Sequence, residues 1–269
     1  MAITHLRVRW CLWLGRIRSK REDYGGALIC YERVLRFFPK HLRALANAGN
    51  CLEHQGFYAE AINFYDRALQ ERPDYPDVHA RLGVIFSRLQ RYQESIDSLN
   101  RAFRMKPSLK KESYYSDTFA FSLACLGKTE DALEAYRAAV GLNPQNARAL
   151  AGVGWALLEL GNYADAELPL RAAIKLEPGN GKPYLHLSFV LGGLGKYDES
   201  LVVAEQFSAL EPENPLAHSN VGWLLSEIGR QREAALAYER AIETQPKFCT
   251  GVLRTRTDTR TPRRVSTGN

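Results

Sequence analysis

The chain has 269 residues, of which 45% are hydrophobic and 25% charged, and its formal net charge is +6. This composition is normal for a packed domain, and no apolar run approaches the roughly 18 residues that a membrane-spanning helix needs. Five cysteines, an odd number without CxxC spacing, argue against a disulfide framework, so a reducing, cytoplasmic setting is expected.

The N-terminal segment is basic and only briefly apolar. Arginines surround the run Trp10 to Leu14, which is too short and too interrupted for a signal peptide. We therefore expect a lead-in over residues 1–7, followed by the first helix of a repeated structure, to which this run belongs.

Regularly spaced prolines mark the repeat. Successive members of the series are 34, 34, 37, 34, 34 and 34 residues apart, and each closes a segment of similar sequence: Pro39, Pro73, Pro107, Pro144, Pro178, Pro212 and Pro246. A period of this length predicts tandem structural units rather than a globular domain.

Each segment repeats its residue types column by column. A small residue comes first, at Gly15, Gly49, Gly83, Ala120, Gly154, Ser188 and Gly222. A column of mostly glycine follows, where a helix is expected to end in a left-handed residue, at Gly56, Gly127, Gly161, Gly195 and Gly229. An aromatic stands two positions later in most segments. The unit is therefore predicted to be helix, turn, helix and proline stop.

These columns resemble the tetratricopeptide repeat family, whose unit has this length and this order of small, aromatic and proline positions. The resemblance implies an all-α fold, a right-handed α-α superhelix forming one elongated domain. Seven units are predicted between residues 8 and 248: 8–41, 42–75, 76–109, 113–146, 147–180, 181–214 and 215–248.

Three departures from the repeat predict local irregularities. The extra residues Lys110 to Glu112 are expected to lengthen a loop or to extend the next helix. Pro169 falls inside a second helix and predicts a kink or bulge. In the sixth unit Ala204 and Phe207 exchange the usual large and small positions, which roughly conserves core volume.

An aromatic column is the main candidate binding site. In the family, first helices line the concave surface against which partner peptides lie. The position after the first small column reads Phe121, Trp155, Phe189 and Trp223 in the later units. Two interpretations stay open: an apolar surface for a partner segment, or rings that only pack against the neighbouring repeat.

The early units are polar and cationic at and near the same positions. The candidate groove residues there are Arg16, Arg43, Asn47, Asn50, His54, Arg81 and Arg88. The resemblance implies a comparison with family members that clamp a C-terminal carboxylate. Asn47 and Arg81 match two clamp positions, whereas Asp77 and Leu12 do not, so a complete clamp is not expected. A looser preference for acidic segments remains open.

The C-terminal end carries two further predictions. Residues 249–269 are rich in Thr, Arg and Gly and are predicted to form a basic disordered tail. A nucleic-acid-binding arm is less favoured than a solvated or non-native tail, because no aromatic residue is interleaved with the arginines. The last predicted helix, with Leu236, Tyr238 and Ile242, lacks a following cap, which favours self-association or a chain that continues.

No catalytic signature accompanies the repeats. The sequence has neither a G-x-S-x-G elbow nor a phosphate-binding G-x-x-x-x-G-K-[ST] loop. Cys51 and His54, with His41 upstream, lack further metal ligands at regular spacing, so no metal or cofactor is predicted. The prediction is a non-enzymatic scaffold that binds a protein or peptide. The alternatives are a substrate-recruiting arm of a larger enzyme or secretion assembly, and a self-associating scaffold.

Overall fold

The computed structural model describes residues 2–244, with side chains from Arg7 onward. Within this range the chain forms fourteen α-helices and one 3-10 helix, and no strand is present. The predicted all-α fold class is confirmed. Pro246, Cys249 and the predicted tail 249–269 lie outside the described residues.

The helices alternate as first and second members of seven pairs. The first helices are α1 (Ala2–Lys20), α3 (Leu42–His54), α5 (Pro76–Arg88), α7 (Ser113–Cys125), α9 (Ala147–Glu159), α11 (Gly181–Gly193) and α13 (Pro215–Ile228). The second helices are α2 (Tyr24–Phe37), α4 (Tyr58–Glu71), α6 (Tyr92–Met105), α8 (Thr129–Leu142), α10 (Tyr163–Leu176), α12 (Tyr197–Leu210) and α14 (Gln231–Thr244). Helix α1 begins at Ala2, so the expected lead-in is part of the first helix.

The chain divides into two compact units, residues 1–143 and 144–269. The first unit contains α1–α8, and the described part of the second contains α9–α14. Within each unit the members of a pair pack together, and a second helix packs against the first helix of the following pair. Stacking of neighbours builds the core, because one pair alone buries too little apolar area.

Left-handed residues make the turn inside each pair. The five glycines of the predicted column have φ values between +72° and +89°. In the two pairs without glycine, Glu22 and Gln90 take the same conformation, with φ of +62° and +60°. The turn geometry thus persists where the preferred residue is absent.

The small column is explained by the ring or branched side chain that lies against it. A Cβ atom on Gly49 would lie 2.8 Å from Cε1 of Tyr65, and one on Gly83 would lie 2.6 Å from Cγ of Leu99. In the sixth pair both Ala204 and Phe207 are buried, and a Cβ on Gly181 would lie 2.9 Å from Cε2 of Phe207. The exchanged residues therefore fill the core in a different arrangement.

The remaining irregularities have simple local forms. Residues Pro107–Lys111 form the 3-10 helix and α7 begins at Ser113, so all three extra residues extend the connection between α6 and α7. Leu109 of this turn is 1% exposed and joins the core around Tyr115. Pro169 lies inside α10, which continues to Leu176.

Candidate protein-interaction site

Four aromatic side chains occupy the predicted column on the first helices α7, α9, α11 and α13. Phe121, Trp155, Phe189 and Trp223 are all partly buried, neither sealed in the core nor fully exposed. Phe121 belongs to the first compact unit and the other three belong to the second. We call Trp155, Phe189 and Trp223 together the aromatic face of the second unit.

Trp223 is held in place by contacts with two neighbours. Its ring centroid lies 6.4 Å from that of Phe189, with the ring planes inclined by 49°. The indole Nε1 donates to Oε1 of Glu227 at 3.1 Å. A Cβ on Gly192 would lie 2.8 Å from Cη2 of Trp223, so the absence of a side chain there makes room for the ring. These contacts orient the indole while part of it stays accessible.

Phe121 has a comparable setting in the first unit. Its ring meets Tyr92 of α6 edge to face, with centroids 6.1 Å apart and planes inclined by 79°. Edge-to-face contacts of this kind are a favoured aromatic geometry. The side chain remains partly exposed on α7.

Most of the predicted polar groove residues are exposed, but several already have partners within the chain. Arg16, Arg43, Asn47 and His54 are exposed. The His54 imidazole stacks on the Tyr24 ring, with centroids 4.4 Å apart and planes within 2°.

Asn47 contacts a buried phenol. Burial raises the pKa of Tyr31 to about 12, and the polar side chain of Asn47 beside it acts to lower that pKa. Tyr31 is 2% exposed, so this contact ties Asn47 to the core of the first unit.

Arg81 lies in a partly buried polar network between α3 and α5. Its Nη1 donates to Oε2 of Glu53 at 3.3 Å, and the same carboxylate oxygen accepts from the Tyr65 hydroxyl at 2.9 Å. With its carboxamide oxygen turned toward Arg81, Asn50 accepts from Nη2 at 3.0 Å. Burial acts to lower the pKa of Arg81, but Tyr65, Glu53 and Tyr115 outweigh it and raise that pKa. Arg81 therefore stays charged and balances a buried carboxylate.

Arg88 is exposed and bridges two tyrosines. Its Nη2 donates to the Tyr114 hydroxyl at 3.1 Å, and its Nη1 donates to the Tyr58 hydroxyl at 2.9 Å. The hydrogen bonds to Tyr114 and Tyr58 raise the pKa of Arg88. The guanidinium also lies 5.9 Å from the Tyr58 ring centroid, within cation–π range.

Within residues 2–244, no group of three or more His, Cys, Asp or Glu side chains is arranged to hold a metal ion. In the same part of the chain, no helix has the length and hydropathy of a membrane span.

Each of the two compact units consists of stacked helical hairpins, the architecture of a helical repeat protein. Models of the tetratricopeptide repeat match residues 14–76, 122–181 and 190–247, and a second such model matches residues 54–108. The chain belongs to the tetratricopeptide repeat family, as its column pattern predicts. Such repeats are typically non-catalytic protein–protein interaction scaffolds.

Two curated relatives share part of the array. Human protein O-mannosyl-transferase TMTC1 is 24% identical over 144 residues, which are 52% of this chain and 16% of the relative. Mouse anaphase-promoting complex subunit 7 is 26% identical over 103 residues, which are 38% of this chain and 18% of the relative. The chain thus spans less than a fifth of either relative.

Solved structures support the same fold. A tetratricopeptide repeat protein from Parabacteroides merdae is 15% identical, with a TM-score of 0.63 over 93% of this chain and 97% of that one. YrrB, described as a TPR protein with an unusual peptide-binding site, is 14% identical, with a TM-score of 0.57 over 71% and 97%. MamA from Desulfovibrio magneticus is 21% identical, with a TM-score of 0.56 over 63% and 97%.

Proposed function

We propose that this chain is a non-catalytic scaffold that binds a segment of a partner protein through the aromatic face of the second unit. The observation that carries the proposal is the partly exposed ring pair Phe189 and Trp223 on neighbouring first helices. Trp155 stands in the same column on α9, and Phe121 is its counterpart in the first unit.

Orientation of the rings favours binding. The Trp223 indole is fixed by Phe189, Glu227 and the gap at Gly192, so contact with a partner costs it little rotamer entropy. Large aromatic side chains that are held in this way are common anchors of protein interfaces. The face is therefore suited to apolar side chains of an extended or helical segment.

The net charge of the second unit indicates which charged residues the partner segment carries beside its apolar ones. Residues 144–244 contain thirteen acidic and eight basic side chains, a net charge of −5. An acidic unit around apolar rings favours a segment with basic residues beside its apolar anchors, because complementary charge speeds encounter and selects partners. On the first unit, where Arg16 and Arg43 are exposed, we propose a separate preference for acidic segments.

Selection from a displayed peptide library tests the proposal. Peptides enriched on the wild-type chain are expected to lose binding to the double variant Trp155→Ala/Trp223→Ala by at least tenfold, while far-ultraviolet circular dichroism stays helical. The matched control is Trp10→Ala/Trp13→Ala, which removes two exposed indoles of α1. Unchanged affinity in the first variant, or loss of its helical signal, would favour the packing role of the rings.

A second candidate is a recruiting arm within a larger protein or assembly. It is favoured by the relatives, in which the matched segment is less than a fifth of the whole and the names are those of a transferase and a complex subunit. Under this proposal the same aromatic face holds the substrate or neighbouring subunit. A longer native transcript that continues the reading frame would support it.

Self-association is a third candidate. On α14, at the end of the described residues, Leu236 is 59% exposed and Ile242 is 45% exposed. Light scattering on the purified chain decides this point, since mass that grows with concentration is expected and a constant monomer mass would contradict it. For all three candidates we propose a reducing, cytoplasmic setting, in line with the free thiols Cys11, Cys30, Cys51 and Cys125.

A further inference from the structure

A groove lies in the first unit between the second helices α6 and α8. Its floor is α7, one end is formed by the 3-10 turn Pro107–Lys111, and its volume is about 620 Å³. Natural ligand sites of proteins span roughly 300–1,000 Å³, so this concavity is large enough to take a few side chains of a partner. We call it the α6–α8 groove.

The groove coincides with the one lengthened interval of the proline series. The spacing from Pro107 to Pro144 is 37 residues, and the extra residues enter the turn between α6 and α7. Leu109 fixes the turn to the core, and the Ser116 hydroxyl donates to the Lys110 carbonyl oxygen. The turn is therefore a built part of the groove wall.

Apolar side chains cover the interior. Phe103 from α6 and Phe119 from α7 meet edge to face, with centroids 5.7 Å apart and planes inclined by 70°. Leu123 lies on the floor, and Leu142 at the end of α8 lines the wall while 46% exposed. Apolar surface that lines a concavity and stays accessible is typical of an interaction site.

Charges are distributed unevenly along the rim. Lys110 and Lys111, both exposed, stand on the turn at the end of the groove where α7 begins. Lys128, Asp131 and Glu134 line the α8 side, and there the acidic residues offset the lysine. The excess positive charge is thus at the turn.

The groove and the Phe121 position are separate surfaces of α7. Phe119 lines the groove, and Phe121 follows two residues later, about 200° further round the helix. A ligand of one surface therefore does not occupy the other.

We propose that the α6–α8 groove binds a partner-protein segment that combines apolar anchors with an acidic residue. The anchors contact Phe103, Phe119 and Leu142, and the carboxylate lies against Lys110 and Lys111. Asn100, which also lines the groove, offers amide groups to the backbone of the segment. The two lysines and the apolar floor together select this chemistry over a basic segment.

The test uses a random 14-residue peptide library displayed on phage and selected on the full chain. The blocking variant is Ala138→Trp, which places an indole in the groove from an exposed position of α8. The matched control is Arg137→Trp, exposed on the same helix but not lining the groove. We expect a family of peptides that contain both acidic and apolar residues. Ala138→Trp should abolish their binding, and Arg137→Trp should retain it.

Charge is tested separately with synthetic copies of the selected peptides. Lys110→Glu/Lys111→Glu is expected to weaken binding at least tenfold at low salt, whereas Lys175→Glu/Lys182→Glu in the second unit leaves it unchanged. Unfolding midpoints of all variants verify that the fold is kept.

Four outcomes would overturn the proposal. The first is that no selected peptide family loses binding to Ala138→Trp, and the second is that the selected peptides are basic. The third is that Arg137→Trp loses peptide binding as strongly as Ala138→Trp, and the fourth is that Lys110→Glu/Lys111→Glu leaves peptide affinity unchanged. Self-association of the wild-type chain that Ala138→Trp abolishes would identify a second copy as the occupant instead. None of these results depends on Trp155 or Trp223, so failure here is distinguishable from failure of the aromatic face.

Discussion

Arg81 allows a sharp separation of structural and binding roles. Its partner Glu53 has a side chain only 6% exposed, whereas that of Arg81 is 34% exposed. Replacing Arg81 with methionine leaves the Glu53 carboxylate buried with one remaining hydrogen bond, from Tyr65. Replacing Glu53 with glutamine leaves a guanidinium that still reaches water. The two single variants should therefore differ in stability.

The magnitudes follow from these exposures. Removing one partner of a fully buried ion pair costs about 3–5 kcal/mol, and partial exposure of Arg81 places Arg81→Met near the lower end, about 3 kcal/mol. Glu53→Gln keeps the hydrogen-bonding shape and should cost about 1–2 kcal/mol. The double variant removes both charges, so its loss should fall below the sum of the two by about 1 kcal/mol or more.

Urea denaturation of the four proteins, followed by circular dichroism, measures these differences. The wild type is expected to be the most stable, followed by Glu53→Gln and then Arg81→Met. The double variant is expected to lose less free energy of unfolding than the sum of the two single losses. Peptides selected on the wild-type chain should bind Arg81→Met almost normally under native conditions. If Arg81→Met keeps its stability and loses peptide binding, Arg81 contacts the peptide directly, and the stabilising role assigned to its ion pair with Glu53 is wrong.

Three further predictions concern single sites. Burial lowers the pKa of His186 in the folded chain to about 4, so the unfolded chain binds the proton more readily. The free energy of unfolding is therefore expected to fall by up to about 3 kcal/mol as the pH drops from about 6.5 toward 4. His186→Gln should remove this pH dependence of the urea midpoint. Gln90→Gly should raise stability by about 1 kcal/mol, and Gly161→Gln should lower it similarly, because both positions have positive φ; equal midpoints would contradict this. Cys125 is exposed and should react with a thiol reagent before the buried Cys30 and Cys51. Burial raises the pKa of Cys51 to about 12, so mass spectrometry should find Cys51 unlabelled until the chain unfolds.

Backbone features of the repeat were accessible from sequence because they depend on local conformation. The glycine column predicts left-handed turns, and the structure has positive φ at all five of its glycines. The small column predicts close helix contact, which Gly49 and Tyr65 illustrate. Family recognition rests on the same columns and is confirmed by the repeat models.

Contacts between repeats were harder to predict. Glu53 and Arg81 are 28 residues apart, a spacing that differs from the 34-residue period, so only the packing of α3 on α5 reveals their pairing. The α6–α8 groove depends on the path of the turn around Leu109, which the three extra residues do not specify. How far Trp155, Phe189 and Trp223 are exposed also depends on side-chain packing, and the aromatic column alone left both interpretations open.

Hydroxyl-radical footprinting of the chain with a selected peptide tests the aromatic face most directly, since it reports the solvent accessibility of individual side chains. Binding is expected to protect Trp155, Phe189 and Trp223 from oxidation, while Trp10 and Trp13 on α1 keep their rates. Protection elsewhere with unchanged oxidation of the aromatic face would contradict the account.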